Sequence, residues 1–129
     1  MEKVKLTLTI EKQEGKELWG RVNYNGNLIT DFADEVPELE AKMKSLLYDF
    51  ENLNPEIVEF VHEYDIYALF QGFDFLKISS VAKHAGMNPG LLRQYVSGNK
   101  NPSREQANRI ERTLHQLALK LKEVKIITA

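Results

Sequence analysis

The segment Lys77–Pro102, KISSVAKHAGMNPGLLRQYVSGNKNP, contains the residues whose types and spacing favour a specific chemistry. Arg93 and Gln94 are adjacent within it. An Arg guanidinium can bind guanine O6 and N7 through two hydrogen bonds, and a Gln amide can bind adenine N6 and N7 in the same way. An exposed Arg-Gln pair on a short helix is therefore typical of base recognition in the major groove of DNA.

The elements needed to position that pair are predicted by the same segment. In a helix-turn-helix the first helix needs a small residue where the second crosses it, and Ala82 meets this requirement. Gly86, four residues later, allows the turn to take a positive φ angle. The positions expected to be buried on either side of the turn are Val81, Ala85, Met87, Leu92 and Tyr95.

The second helix of this pattern is bounded at both ends. Asn88 is a favourable N-cap, and Pro89 suits the first helical position because its missing N–H has no partner there. Gly98 can end the helix in a left-handed conformation. The residues then expected to face outward are Asn88, Pro89, Gly90, Arg93, Gln94 and Ser97.

Charge distribution favours DNA binding over a helical hairpin that only packs against its own domain. The 129-residue chain has a net charge of −2. Residues 1–70 contain seven Lys and Arg against fifteen Asp and Glu, whereas residues 71–129 contain ten against four. A basic half suits a polyanion because neutralised phosphates release their condensed counterions. The acidic half suits a different, basic partner.

Composition argues against several other classes of protein. The chain has no cysteine, which excludes disulfides, thiolate metal sites and cysteine nucleophiles. The three histidines, His62, His84 and His115, lack the spacing of metal ligands and are expected on the surface. We therefore expect no enzyme activity, catalytic site, metal or cofactor. With no apolar segment of membrane-spanning length, a cytoplasmic location without membrane contact is expected.

Three strands are predicted in the first part of the chain. Apolar residues alternate with polar ones over Val4–Ile10, and a second strand is expected at Glu17–Tyr24. Asn25-Gly26 is a strong hairpin signal because both residues tolerate the positive φ angles of a type I′ turn. A third strand at Asn27–Phe32 completes an antiparallel meander.

The middle of the chain contains a clear helix and a segment whose secondary structure is ambiguous from its sequence. Helical spacing predicts a helix from Val36 to Asn52. The segment Glu56–Asp65 favours a strand by its β-branched and aromatic content, although Asn54-Pro55 equally suits the start of a helix; we expect a strand. A short apolar helix, Ile66–Phe73, is expected to pack beneath the helix-turn-helix.

A last helix is predicted to start at Ser103, where Ser103 and Gln106 match a capping box. Its apolar stripe can cover the helix-turn-helix core or continue as a homodimer seam, and the seam suits Leu117 and Leu121. A short strand is expected at Val124–Ile127. The residues of the stripe are Ala107, Ile110, Leu114, Leu117 and Leu121.

In order and sequence these elements resemble a HicB-like antitoxin. The C-terminal VAKHAGMNPGLLRQYVSGNKNPSREQANRIERTLHQL resembles the helix-turn-helix of the family members that carry one, and also phage-repressor-type domains, including the Gly98 to Pro102 stop. The N-terminal NYNGNLITDFADEVPELEAK keeps the family's order of strand, loop and helix without its usual letters. The expected fold class is α+β. It comprises an antiparallel β-β-β-α-β, partial RNase H-like domain at 1–65 and an all-α helix-turn-helix, phage-repressor-like domain at 66–129.

The resemblance implies two binding functions. The N-terminal domain would bind and block a small, basic, RNA-cleaving HicA-like toxin. The C-terminal domain would bind double-stranded DNA at the operator of its own operon, as a homodimer or higher homo-oligomer, and repress it. An alternative is a stand-alone helix-turn-helix regulator with an acidic interaction domain and no toxin. Nuclease activity is disfavoured because the first strand, VKLTLTI, has no carboxylate for a two-metal site.

The expected DNA contacts divide by chemistry. Arg93 and Gln94 would contact bases, with Asn88 and Ser97 at the edges of the interface. Lys83, Lys100 and Arg104 would neutralise phosphates and set the orientation of the domain on DNA. The full set of expected DNA-binding residues is Lys83, Asn88, Gly90, Arg93, Gln94, Ser97, Lys100 and Arg104.

Overall fold

The structure is a computed structural model that describes residues 2–128, so the predicted domain ends at residues 1 and 129 lie outside it. Its fold is α+β, with a four-stranded mixed sheet and five α-helices in the described residues. The chain divides into two compact units, the first ending at Phe73 and the second beginning at Asp74. Within residues 2–128, no helix combines the length and the apolar character needed to cross a bilayer.

The sheet of the first unit begins with the predicted antiparallel meander. Strands β1 (Val4–Lys12), β2 (Leu18–Tyr24) and β3 (Asn27–Ala33) pair in sequence order. Asn25 (φ 51°) and Gly26 (φ 77°) both have positive φ angles in the β2–β3 turn, as the hairpin signal predicts. The strand order is β3-β2-β1-β4, which leaves β3 at one edge.

The fourth strand runs parallel to β1, so the expectation of a fully antiparallel sheet is wrong. β4 (Val58–Tyr64) is reached from β3 through helix α1 (Val36–Glu51). A helix that returns the chain across a sheet starts the next strand in the direction of the previous one. Since β3 already runs parallel to β1, β4 pairs with β1 in the parallel sense. The segment Glu56–Asp65, for which the sequence suited either a strand or a helix, contains strand β4. A short 3₁₀ helix at Pro55–Ile57 precedes the strand.

Helix α1 packs on the sheet over β2 and β3. Leu39, Met43 and Leu47 on its inner face are completely buried, whereas Phe50 in its last turn is 75% exposed. The helix approaches β2 closely at Gly20, where a Cβ atom would lie 2.9 Å from Leu39 Cδ2. The strand residues beneath the helix that are buried with it are Leu8, Ile10, Leu18, Val22, Ile29 and Ala33.

Helix α2 (Ile66–Gly72) belongs to the first unit, and so the unit boundary follows Phe73 rather than residue 65. The Asp65 carboxylate holds the helix in place, since Oδ1 accepts a hydrogen bond from Ala68 N at 2.8 Å and Oδ2 accepts one from Lys12 N at 2.8 Å. The helix packs against β1 and β4, with Ala68 completely buried in the sheet's core. The helix is therefore part of the sheet's own core.

The second unit consists of three helices. They are α3 (Ile78–Ala85), α4 (Pro89–Ser97) and α5 (Arg104–Lys122), and α3 packs against both of the others. Every position predicted to be buried around the turn is buried, as are Ala82 and, on α5, Ile110 and Thr113. Thr113 satisfies its hydroxyl within the helix by donating to Arg109 O at 2.9 Å.

The strand expected at Val124–Ile127 is not formed. Residues 124–128 belong to no helix or strand, and their apolar side chains are exposed. β-Branched residues form a strand when another strand pairs with their backbone groups, and no strand among the described residues pairs with this segment.

We expect Gly20→Ala to lower the free energy of unfolding of the first unit by about 1–3 kcal/mol, because overpacking displaces side chains from well-filled positions. The new methyl group would meet Leu39, whose side chain is fully buried and would have to shift within the core. Urea denaturation followed by tryptophan fluorescence measures the change, since Trp19 precedes Gly20 on β2.

Gly72→Ala is the matched control. A Cβ atom at Gly72 would meet only Val36 Cγ2, at 3.9 Å, which is an ordinary van der Waals contact. Its effect should stay within about 0.5 kcal/mol. Equal losses for both variants would contradict close packing as the cause.

Candidate functional site

The outer face of α4 brings together four of the residues predicted from the sequence. Gly90, Arg93, Gln94 and Ser97 follow the i, i+3, i+4, i+7 spacing of one helix face, and all four are exposed. The opposite side of the helix carries Leu92, which is fully buried. The burial of one side therefore fixes which side chains of α4 meet solvent.

Helix α4 is held at its start by a side chain that was expected to contact DNA. The Asn88 Oδ1 atom accepts a hydrogen bond from Gly90 N at 2.7 Å, so Asn88 is the N-cap of the helix. This bond uses the amide oxygen and leaves the exposed NH₂ group as a donor. Pro89 at the first helical position is half-buried, unlike its outward neighbours.

The two glycines that bound the elements adopt the predicted conformations. Gly86 ends α3 with φ 66°, and Met87 N then donates to Ala82 O at 2.9 Å. Gly98 ends α4 with φ 82°. At this end Ser97 Oγ donates to Gln94 O at 3.0 Å, so the Ser97 hydroxyl already has a partner within the helix. Both left-handed positions favour glycine because a Cβ atom would be strained there.

Basic side chains predicted to contact phosphates lie on three different elements. Lys83 is on α3, Lys100 is in the loop after α4, and Arg104 is the first residue of α5. All three are exposed, as is Arg93. Within the described part of the second unit no carboxylate lies within ion-pair distance of any of these four cations. Their charge is therefore available to an external anion.

The units of the structure coincide with the division of charge. Residues 71–73 carry no charged side chain, so the boundary after Phe73 separates the same groups as the sequence halves. The first unit consequently carries a net charge of −8 and the second a net charge of +6.

The first unit contains an interaction that sequence reasoning missed. His62 on β4 is exposed, as expected, but it is also bonded through Nε2 to Glu40 Oε1 on α1. Tyr64 stacks beside His62 with ring centroids 6.0 Å apart. Burial raises the pKa of the Tyr64 hydroxyl, and the nearby Glu40 carboxylate raises it further. Glu40 and His62 are 22 residues apart, and only the β4–α1 arrangement brings them together.

The face of the sheet that points away from α1 carries a shallow groove of about 470 Å³. Arg21 in this groove pairs with Glu11 at 3.0 Å, so part of its positive charge is already balanced. Trp19 and Phe32 pack together on the same face with ring centroids 4.9 Å apart. The groove is lined by Lys5, Leu6, Thr7, Thr9, Arg21, Asn23 and Glu63. Its mixed charge suits a protein surface better than a phosphate backbone.

Among residues 2–128 no three His, Cys, Asp or Glu side chains lie together as a metal-binding group. Comparisons with protein-family models, with curated proteins and with solved structures found no match to this chain.

We expect Asn88→Ala to lower the free energy of unfolding of the second unit by about 1 kcal/mol, because the Gly90 N–H loses its acceptor. Asn88→Asp, which retains an acceptor oxygen, should restore most of the stability. Asn101→Ala is the control, since Asn101 is an exposed loop residue with no hydrogen bond in the described chain. Thermal unfolding followed by circular dichroism measures all three, and equal stability of the two alanine variants would contradict the cap.

Proposed function

We propose that this chain is a HicB-like antitoxin with two binding activities, one in each unit. The second unit is a helix-turn-helix domain that binds the operator of its own operon and represses it. The first unit, a partial RNase H-like domain, binds and neutralises a small, basic, RNA-cleaving toxin. The observation that carries the proposal is the exposed polar face of α4, which lies in a unit of net charge +6 with unpaired cations.

In this proposal α4 is the recognition helix. Arg93 and Gln94 project from its exposed face and have the donors and acceptors to bind guanine and adenine edges in the major groove. Asn88 and Ser97 lie at the two ends of the helix, where their remaining donor and acceptor groups contact bases or sugars at the edges of the site. Gly90 presents no side chain, so the DNA backbone can approach α4 closely at its start.

The phosphate contacts come from Lys83, Lys100 and Arg104. All three are exposed and unpaired in the described chain, so binding DNA requires no ion pair to be broken first. Each phosphate that they neutralise releases a condensed counterion, which makes binding dependent on salt. These contacts orient the domain and carry no sequence preference.

The DNA-binding form is a homodimer joined through the last helix. Ile110 and Thr113 of α5 are buried within the unit, whereas Leu117 is half-buried and Leu121 is 68% exposed. The apolar stripe therefore continues beyond the part that the unit itself covers. A two-fold dimer buries this part and places two recognition helices on a palindromic site, which doubles the number of base contacts.

The first unit supports a different partner. Its net charge of −8 repels DNA and attracts a basic protein, and complementary charge of this kind raises the rate of association. The strand order β3-β2-β1-β4, with three antiparallel strands and a parallel fourth, is consistent with a partial RNase H-like domain. An acidic domain that covers an RNA-binding surface would block access of the toxin to RNA.

We expect Arg93→Ala to weaken binding to the chain's own promoter by about 1–3 kcal/mol and to relax its preference for that sequence. Lys100→Ala should weaken binding to all sequences alike and reduce the slope of log affinity against log salt by about one. Fluorescence anisotropy with the promoter fragment and a scrambled fragment, over a range of salt concentrations, separates the two effects.

Arg112→Ala is the matched control for Arg93→Ala. Arg112 is also an exposed arginine, but it lies on α5 and outside the expected contact set. Wild-type binding of the promoter by Arg93→Ala would rule out α4 as the recognition helix.

The toxin is tested by co-expression with the short open reading frame beside this gene. We expect a stable complex, rescue of the growth arrest caused by the toxin, and association that slows as salt rises, because the attraction is between surface charges. Absence of both the complex and the rescue would contradict the proposed antitoxin function. Promoter binding that persists in that case would favour the stand-alone regulator instead.

A further inference from the structure

The two edges of the sheet differ in how their outer backbone groups are satisfied. At β3, Phe32 N donates to Asp31 Oδ1 at 2.8 Å, and Phe32 O accepts a hydrogen bond from Lys42 Nζ at 2.8 Å. The Lys42 ammonium also lies 5.3 Å from the centre of the Phe32 ring. These side chains occupy the outward backbone groups of Phe32, which are two of the groups that an added strand would use. We call this the blocked edge.

The other edge, at β4, has no such protection. In the part of the chain that the structure describes, no side chain bonds to the outward backbone groups of β4, and Val61 in its middle is 52% exposed. Glu59 and Glu63 on the strand are exposed and acidic. The bond between His62 and Glu40 ties the strand to α1 and holds it in place. We call this the open edge.

The segment that follows α5 has the complementary properties. Val124, Ile126 and Ile127 are strongly strand-forming, yet they are 61%, 89% and 90% exposed and belong to no strand. Residues 124–128 contain no carboxylate side chain and one cation, Lys125, and Lys122 lies just before them at the end of α5. An exposed, apolar, β-branched segment is expected to be covered by a partner.

We propose that residues 124–128 of one copy add as a strand to the open edge of a second copy. The proposal deepens the function proposed above and rests on the homodimer, because it gives that dimer a second interface besides α5. The backbone groups of the segment bond to β4, Val61 is covered by an apolar side chain, and Lys125 brings a positive charge to the acidic strand.

A second copy is the occupant that fits these observations. In the single chain the segment is exposed and forms no strand, so its backbone groups are available to a strand of a second copy. Reciprocal exchange closes a two-fold dimer in which each copy gives one strand and receives one. The basic segment and the acidic strand attract each other, whereas two copies of the acidic strand repel.

The absence of cysteine in the chain allows a direct test by disulfide cross-linking. Val61→Cys protein is mixed in turn with Lys125→Cys, Ile126→Cys or Ile127→Cys protein, and the cross-linked dimer is measured on a non-reducing gel. Successive residues of a strand point to opposite faces. We therefore expect either Ile126→Cys alone to react, or Lys125→Cys and Ile127→Cys to react while Ile126→Cys does not.

Thr30→Cys on the blocked edge is the control, because Thr30 is also an exposed strand residue. A yield with Val61→Cys no greater than with Thr30→Cys, or equal reaction at all three positions, overturns the proposal. So does a bond that forms only within single chains carrying both Val61→Cys and Ile126→Cys. Sedimentation of the wild-type chain distinguishes failure of the proposed homodimer from failure of the proposed strand contact. A monomer contradicts the homodimer, whereas a dimer without cross-linking contradicts only the strand contact.

Charge reversal provides a second readout. Glu59→Lys with Glu63→Lys should weaken self-association roughly tenfold, since the attraction between the acidic strand and Lys125 is replaced by repulsion. Glu35→Lys with Asp49→Lys makes the same change in net charge at exposed positions away from the open edge and should have little effect. Equal weakening by both pairs would mean that only net charge matters and would overturn the proposed contact.

Discussion

Packing of α3 against its two neighbouring helices is the constraint on which the second unit depends. Ala82 is completely buried, and the left-handed Gly86 lets the chain turn directly into α4. Once Leu92 and Tyr95 face inward, the helical repeat leaves Arg93 and Gln94 no position except the surface. A larger side chain at Ala82 would push the helices apart and change the direction in which those two residues point. The chemistry of the exposed face is therefore set by residues that touch no ligand.

Separation of charge into two compact units has a physical consequence for how the proposed activities combine. If the second unit binds DNA as proposed, the acidic unit would weaken the attraction of the whole chain for DNA, because at low salt its field extends beyond its own surface. A basic protein bound to that unit would neutralise its charge and remove the repulsion. Partner binding in one unit can thus strengthen DNA binding in the other without any change of conformation, as an electrostatic coupling between two sites.

Local signals in the sequence were sufficient for most of the elements and for the outward face of α4. Asn25-Gly26, Asn88-Pro89 and Gly98 act within a few residues, and the structure has each turn or helix end where they predict it. The misplaced features depend on distant partners. Helix α2 joins the sheet because Asp65 bonds to both Ala68 and Lys12, and His62 finds Glu40 across a helix crossover. Periodicity shows that a helix or strand has an apolar face and a polar face. It does not show which other element will cover the apolar face.

Asp31 and Lys42, which satisfy the backbone of Phe32, also limit how far the sheet can grow. A sheet with two free edges can recruit copy after copy into an open-ended ribbon, which is the geometry of fibrillar aggregates. Here the backbone N–H and C=O of Phe32 already have partners, so a strand added at β3 would lose two of its hydrogen bonds. A sheet in which one edge accepts a further strand less readily than the other is less prone to grow into such a ribbon.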